Sequence, residues 1–165
     1  MSDDRVKLRP LRIFDGPSVR NGLREMDVLR SDGMNRLLSL SWLSVWWWLK
    51  RTYPLLYCID VDSNCVGLTG LYDLKNDGSC EMTLIIFDSK NRRRGYGTRV
   101  FNLLAENLSS HNSKIKVSIR KDNLSSISFW KKLGFEELPD KGEIKMMSTH
   151  LRRGIRSVAV SLLPF

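Results

Sequence analysis

Residues 80–108 set an apolar strand, a loop of arginines and glycines, and an amphipathic helix directly one after another, which restricts the chain to folds that bring a helix N-terminus to the end of a strand. The strand reads Cys80-Glu81-Met82-Thr83-Leu84-Ile85-Ile86-Phe87 and the loop Arg92-Arg93-Arg94-Gly95-Tyr96-Gly97-Thr98. From about residue 94 to 108, Val100, Phe101, Leu104 and Leu108 fall on one helical face. At such a junction the amides of the first helical turn have no partner within the helix. The macrodipole adds positive potential, and glycine lets a ligand approach the backbone. Lys90, Arg92, Arg93, Arg94 and Arg99 crowd the bend, so it reads as a phosphate cradle rather than a plain tight turn.

What the loop lacks narrows its ligand. A nucleotide-hydrolysing P-loop requires Gly-Lys-Ser/Thr, which is absent, and the dinucleotide fingerprint requires Gly or Ala where Val100 stands. Cys58, Cys65 and Cys80 show no Cys-x-x-Cys spacing and no neighbouring His, and read as reduced core thiols without a zinc or disulfide framework. His111 and His150 are no better as metal ligands, and without Gly-x-Ser-x-Gly they do not suggest a hydrolase triad. No metal is expected.

The rest of the chain alternates in the manner of a single α/β domain over residues 1–165. Residues 6–13 mix charge with apolar positions around Pro10, which suits an edge strand. Asp15-Gly16-Pro17 opens a helix with Val19, Leu23 and Met26 in phase, and residues 37–50 form a second, holding Trp42, Trp46, Trp47 and Trp48. Residues 55–60, 65–71 and 80–87 are strand-length apolar runs. The turn sequences Asp62-Ser63-Asn64 and Asn76-Asp77-Gly78 separate them, which predicts an antiparallel meander. A strand at 114–120, a helix at 123–133 stopped by Gly134 and a strand at 143–149 follow, and residues 151–165 form a tail with no clear assignment.

The chain holds 27 Lys and Arg against 18 Asp and Glu, a formal charge of +9 that draws it toward an anionic ligand. Lys114, Lys116, Arg120 and Lys121, like Arg152, Arg153 and Arg156, lack the interleaved aromatics of an RNA-binding sheet and read as solvated faces. Nucleic acid is therefore not the expected partner. The longest apolar run, residues 45–49, falls far short of the roughly 20 residues of a spanning helix, and residues 1–5 are not a signal segment. No membrane partner and a cytoplasmic address are expected.

The loop Arg92-Arg93-Arg94-Gly95-Tyr96-Gly97 resembles the acetyl-coenzyme A loop, Gln/Arg-x-x-Gly-x-Gly/Ala, of the GNAT (Gcn5-related) N-acetyltransferase superfamily. Residues 123–135, Asn-Leu-Ser-Ser-Ile-Ser-Phe-Trp-Lys-Lys-Leu-Gly-Phe, resemble its Asn…Tyr…Gly-Phe helix and strand. The opening residues 6–11 and residues 81–86 look most like the branch that acetylates ribosomal-protein amino termini. The resemblance implies a mixed, mostly antiparallel sheet, splayed into a V between its fourth and fifth strands and flanked by about four helices. It further implies that the backbone amides of Arg93, Arg94, Gly95, Gly97 and Thr98 hold the pyrophosphate of acetyl-coenzyme A, with Arg92 and Tyr96 as further cofactor-binding positions of the loop. Ile85 or Ile86 would hold the thioester carbonyl and Phe87 the pantetheine, with Asn123, Ser126 and Trp130 along the cofactor arm.

The chemistry so implied is acetyl transfer to a primary amine, of a protein N-terminus or a small molecule. A lysine-like ammonium costs about 4.6 kcal/mol to neutralise at pH 7, an α-amino group only about 1.4. Glu81 is the candidate base by its alignment with the family's glutamate and by its strand face, shared with Thr83 and Ile85; an ion pair with a neighbouring Lys or Arg is the other reading. Trp130 stands where the family commonly has a Tyr that protonates the thiolate, a role indole cannot fill, which leaves Tyr72 or Tyr96 as alternatives. The tryptophans between 42 and 48 suit packing, with Trp42 or Trp46 turned toward the acceptor. A monomer or homodimer fits equally. A catalytically silent module that binds coenzyme A or nucleic acid is the rival reading.

Overall fold

A computed structural model describes residues 6–23, 56–73, 75–108, 114–140 and 142–151. Its strands are β1 (Lys7–Pro10), β2 (Leu56–Val61), β3 (Asn64–Tyr72), β4 (Ser79–Ile86), β5 (Lys114–Arg120), β6 (Glu136–Glu137) and β7 (Ile144–His150). The helices are α1 (Gly16–Leu23), α2 (Tyr96–Leu108) and α3 (Leu124–Lys132). All seven strands form one sheet, in the order β1-β2-β3-β4-β5-β7-β6.

The meander β2-β3-β4 follows from its turns. Asp62 and Ser63 adopt φ of 50° and 67°, left-handed values that short polar residues tolerate and a two-residue hairpin demands. Gly78 takes φ 77° at the second turn, where the Asp77 carboxylate accepts from the Ser79 amide at 2.8 Å. β1 caps the sheet as the expected edge strand, shorter than residues 6–13 because the chain leaves the ladder after Pro10.

β4 and β5 run parallel and pair only at Ser79↔Lys114, Cys80↔Ile115 and Glu81↔Lys116. β4 continues to Ile86 and β5 to Arg120 without further rungs, so the two strands diverge into the expected V. β7 then inserts antiparallel between β5 and the two-residue β6, an arrangement the sequence did not suggest.

The sheet's two faces carry separate cores. On one, Met82, Ile115, Val117 and Ile119 meet Val100, Phe101 and Leu104 of α2 and Ile127 and Trp130 of α3. On the other, Val19 and Leu23 of α1 cover Leu68 and Phe87. A Cβ on Gly22 would fall 2.1 Å from the Phe87 ring, so glycine is what allows α1 to lie this close. Helix α3 ends as predicted at Gly134, φ 83°, with the Phe135 amide closing back to the Trp130 carbonyl at 3.1 Å.

Arg9 of β1 bridges two buried carboxylates. Its guanidinium donates to both oxygens of Asp15, at 2.7 and 2.8 Å, and to Asp60. The hydrogen bonds from Arg9 hold the Asp15 carboxyl below the usual carboxylate range, against the opposing effect of burial.

Of the four expected helices, three are present; the one assigned to residues 37–50, with Trp42, Trp46, Trp47 and Trp48, lies outside the described residues, as does the tail beyond Leu151. No helix among the described residues is long and apolar enough to cross a membrane.

Candidate active site

The gap between β4 and β5 is lined by backbone groups that strand alternation selects. The Phe87 amide donates to Val66 on the β3 side, whereas Gly78 accepts from Lys114 on the β5 side. Residues of even number in β4 therefore direct their amides and carbonyls toward β5. Past the last rung, those of Leu84 and Ile86 face the gap. Of Ile85 and Ile86, then, it is Ile86 whose amide points into the gap.

Beyond β4 a short 3-10 turn, Ser89–Asn91, is capped by Asp88, whose carboxylate accepts from the Lys90 amide at 2.9 Å. Arg92 folds its guanidinium back onto the strand end, donating to the carbonyls of Ile86 and Phe87 at 3.2 and 3.3 Å. It therefore fixes the loop to β4 while still lining the cleft. Arg93 and Gly95 adopt φ of 59° and 82°, and this pair of left-handed residues turns the chain into α2. The first amide to find a carbonyl four residues back is that of Arg99, bonded to Gly95 at 3.1 Å; those of Gly97 and Thr98 precede it at the helix mouth. A Cβ on Gly97 would sit 3.0 Å from the Phe129 ring, so glycine lets α2 pack on α3 and keeps its backbone accessible. Arg93 and Arg94 are exposed beside this mouth, and Arg94 donates to the Tyr96 hydroxyl at 3.1 Å.

Glu81 lies at the closed end of the V, on the face that also carries Thr83, Ile85 and, across the ladder, Tyr72. Its carboxylate accepts from the Ser118 hydroxyl of β5 at 3.5 Å, and Ser118 in turn contacts the Met146 sulfur at 3.1 Å. Among the described residues no Lys or Arg forms a salt bridge with Glu81. Asn123 caps α3 with its side-chain oxygen, which accepts from the Ser126 amide at 3.2 Å and the Ser125 hydroxyl at 3.1 Å. Only its amide nitrogen is left to reach a ligand. Trp130 is packed edge-on against Phe101, Phe129 and Phe135, with centroids 6.1, 4.9 and 4.7 Å away, and forms cleft wall rather than a proton donor.

The fold thus brings Glu81, Ile85, Ile86, Arg92, Arg93, Gly95, Tyr96, Gly97, Thr98, Asn123, Ser126 and Trp130 around one open cleft of about 1910 Å³. That exceeds the roughly 300–1,000 Å³ of an ordinary small-molecule pocket. The ring of Phe87, expected on the pantetheine, is buried beneath α1 on the face it shares with Ile85, where Gly22 leaves room for it. Trp42 and Trp46 fall outside the described residues. Ser118 and Met146 were missed. The alternation Ile115, Val117, Ile119 marks Ser118 as facing away from the core, but nothing local shows that it meets Glu81.

Residues 72–144, which hold Glu81, the arginine–glycine loop and Asn123 to Trp130, match the family model described as FR47-like protein. No curated protein sequence matches the chain. Among solved structures, spermidine N-acetyltransferase from Vibrio cholerae in complex with CoA and spermine superposes with a TM-score of 0.75 at 16% identity, over 88% of this chain and 95% of its own. An aminoglycoside acetyltransferase in complex with coenzyme A gives 0.72 at 16% identity, over 88% and 95%. Ribosomal-protein-alanine N-acetyltransferase from Brucella melitensis gives 0.66 at 17% identity, over 88% and 99%. The chain has the fold of these GNAT acetyltransferases.

Proposed function

We propose that this protein is an N-acetyltransferase that moves the acetyl group of acetyl-coenzyme A directly onto a primary amine. The observation that carries the reading is the divergence of β4 from β5 after Glu81, beside the mouth of α2 and its arginines. The residues fit the carrier. Gly97 and Thr98 amides with Arg93 and Arg94 suit a diphosphate, and the inward amides of Leu84 and Ile86 suit an amide-bearing arm and a carbonyl oxygen. When bound, the thioester supplies an activated acyl carbon. No cysteine stands in the loop to accept it, so attack by the amine itself is the reading. Glu81 takes the proton from the acceptor ammonium, directly or through water, and Ser118 orients its carboxylate. A hydroxyl on the cleft wall, Tyr72 or Tyr96, is left to serve the departing thiolate.

Charge narrows the acceptor. The described lining holds Arg92, Arg93, Arg120 and Lys132 against Glu81 and Asp122, and Asp122 is already paired with Arg120 at 3.0 Å. With Arg120 and Asp122 cancelling each other and the loop arginines facing the diphosphate, the acceptor end keeps one carboxylate, Glu81, which offers a polyamine or aminoglycoside no further anionic partner and matches a single α-amine on a peptide. Its lower pKa also suits a site with one carboxylate. Incubating the protein with acetyl-coenzyme A and a panel of peptide α-amines, spermidine and an aminoglycoside, while following free thiol, tests this. Release of thiol with peptides above the others is expected. Tight binding without turnover on any amine would make the chain a silent coenzyme A module.

Replacing Arg93 and Arg94 together by Ala should weaken coenzyme A binding by about ten-fold or more, equivalent to ~1.4 kcal/mol, in calorimetric titration. Undiminished affinity removes the cradle.

A further inference from the structure

Beneath α1, three groups distant in sequence converge: the carboxylate of Asp15, Sγ of Cys58 on β2 and Sγ of Cys65 on β3 lie within 4.8 Å of one another. The register shift between Ile59 and Asp60 sets Cys65 opposite Asp60, and so on the same face as Cys58. Cys58 is fully buried and Cys65 half-buried. A cation would have to displace Arg9, because both Asp15 oxygens already accept from its guanidinium and one also from the Arg12 amide. The thiols are thus left to act on each other.

They differ in character. The adjoining Cys58 thiol draws the Cys65 thiol below its ordinary pKa, against burial and the Asp15 carboxylate, while Cys65 itself donates to the Gly67 carbonyl at 3.5 Å. Cys58 moves the opposite way for the same reason. Cys80 lies in the other core, where burial alone pushes its thiol up. A half-buried thiol facing a second, fully buried thiol is the arrangement of a redox-responsive pair.

We propose that Cys65 and Cys58 form a peroxide-sensitive dithiol, Cys65 reacting first and Cys58 closing a disulfide across the β2–β3 hairpin. The Cys65 sulfur attacks one oxygen of hydrogen peroxide, the O–O bond breaks and a water leaves, giving a sulfenic acid. The Cys58 sulfur attacks that sulfur, the S–S bond forms, the S–O bond breaks and a second water carries off the Cys58 proton. Two thiols are oxidised by two electrons and the peroxide is reduced to two waters. The link would tether the hairpin where Cys65 packs against the Val19, Leu23, Leu68 and Phe87 cluster that seats α1.

The test uses the full-length reduced protein, treated with excess hydrogen peroxide, denatured, alkylated and cleaved with trypsin. With no Lys or Arg between residues 51 and 75, Cys58 and Cys65 fall on one peptide and Cys80 on the next. The expected result is a 52–75 peptide unalkylated and lighter by two hydrogens, reversed by dithiothreitol, with Cys80 alkylated. Before oxidation, iodoacetamide should modify Cys65 at least about ten-fold faster than Cys80. In Cys58→Ser, dimedone should label Cys65 after peroxide; if that variant does not fold, the wild-type digest decides alone. Three alkylated cysteines, a link to Cys80 or a link between two molecules would overturn the proposal.

Discussion

Arg9→Met lowers the folding free energy by about 3–5 kcal/mol at pH 7, the expected penalty for leaving buried carboxylates without their cation. Asp15 and Asp60 are 6% and 8% exposed, and Arg9 is the guanidinium that serves both. Met keeps most of the side-chain volume, so the loss reports charge rather than a cavity. The pH dependence separates the two causes. In the wild type the Asp15 carboxyl titrates below its unfolded value, so its stabilisation is complete above about pH 4 and fades as the pH falls through the folded value. In the variant, burial without Arg9 favours the protonated acid, and acidification relieves the defect. Urea midpoints of the two proteins should therefore converge on going from pH 7 to about pH 3.5. A gap of constant size would show that the triad is not the origin of the loss.

Glu81→Gln lowers turnover by about 100-fold at pH 7 while coenzyme A affinity stays at the wild-type value. Gln preserves the shape and can still meet the Ser118 hydroxyl, but it cannot take a proton. The defect should shrink as the pH approaches about 9, where an α-amine near pKa 8 is already neutral. A residue that only shaped the cleft would show no such recovery. Equal turnover across this range would exclude Glu81 as the base.

The parts of this fold that could be read from the chain are those whose causes are local. Strand-length apolar runs with Asp62-Ser63 and Gly78 between them define β2-β3-β4, and Gly134 marks the end of α3. The cradle was legible for the same reason, since the strand end, the arginines and the helix start are consecutive residues. What resisted reading was set by register. β6 is two glutamates that become a strand only because β7 lies alongside, and Ser118 meets Glu81 only because β5 joins β4 in parallel at Lys116. Phe87 was assigned to the cofactor by its place in a motif, whereas the packing of its ring against Gly22 of α1 is a long-range contact that the motif does not show. Cys58 and Cys65 are the free thiols that their spacing suggested, but their approach to each other across the bulged hairpin is likewise a matter of register.

The brevity of the β4–β5 ladder bears on more than access. With three residue pairs holding the backbone of residues 6–86 to that of 114–151, the seam is a sparsely cross-braced line through the middle of the sheet. A guest that hydrogen-bonds to Leu84 and Ile86 in the opening serves as the missing strand, splinting the halves. The melting temperature of such a protein becomes a gauge of occupancy, rising with ligand concentration by mass action. Pantetheine fragments lacking the nucleotide would then reveal how much of that bracing belongs to the arm alone.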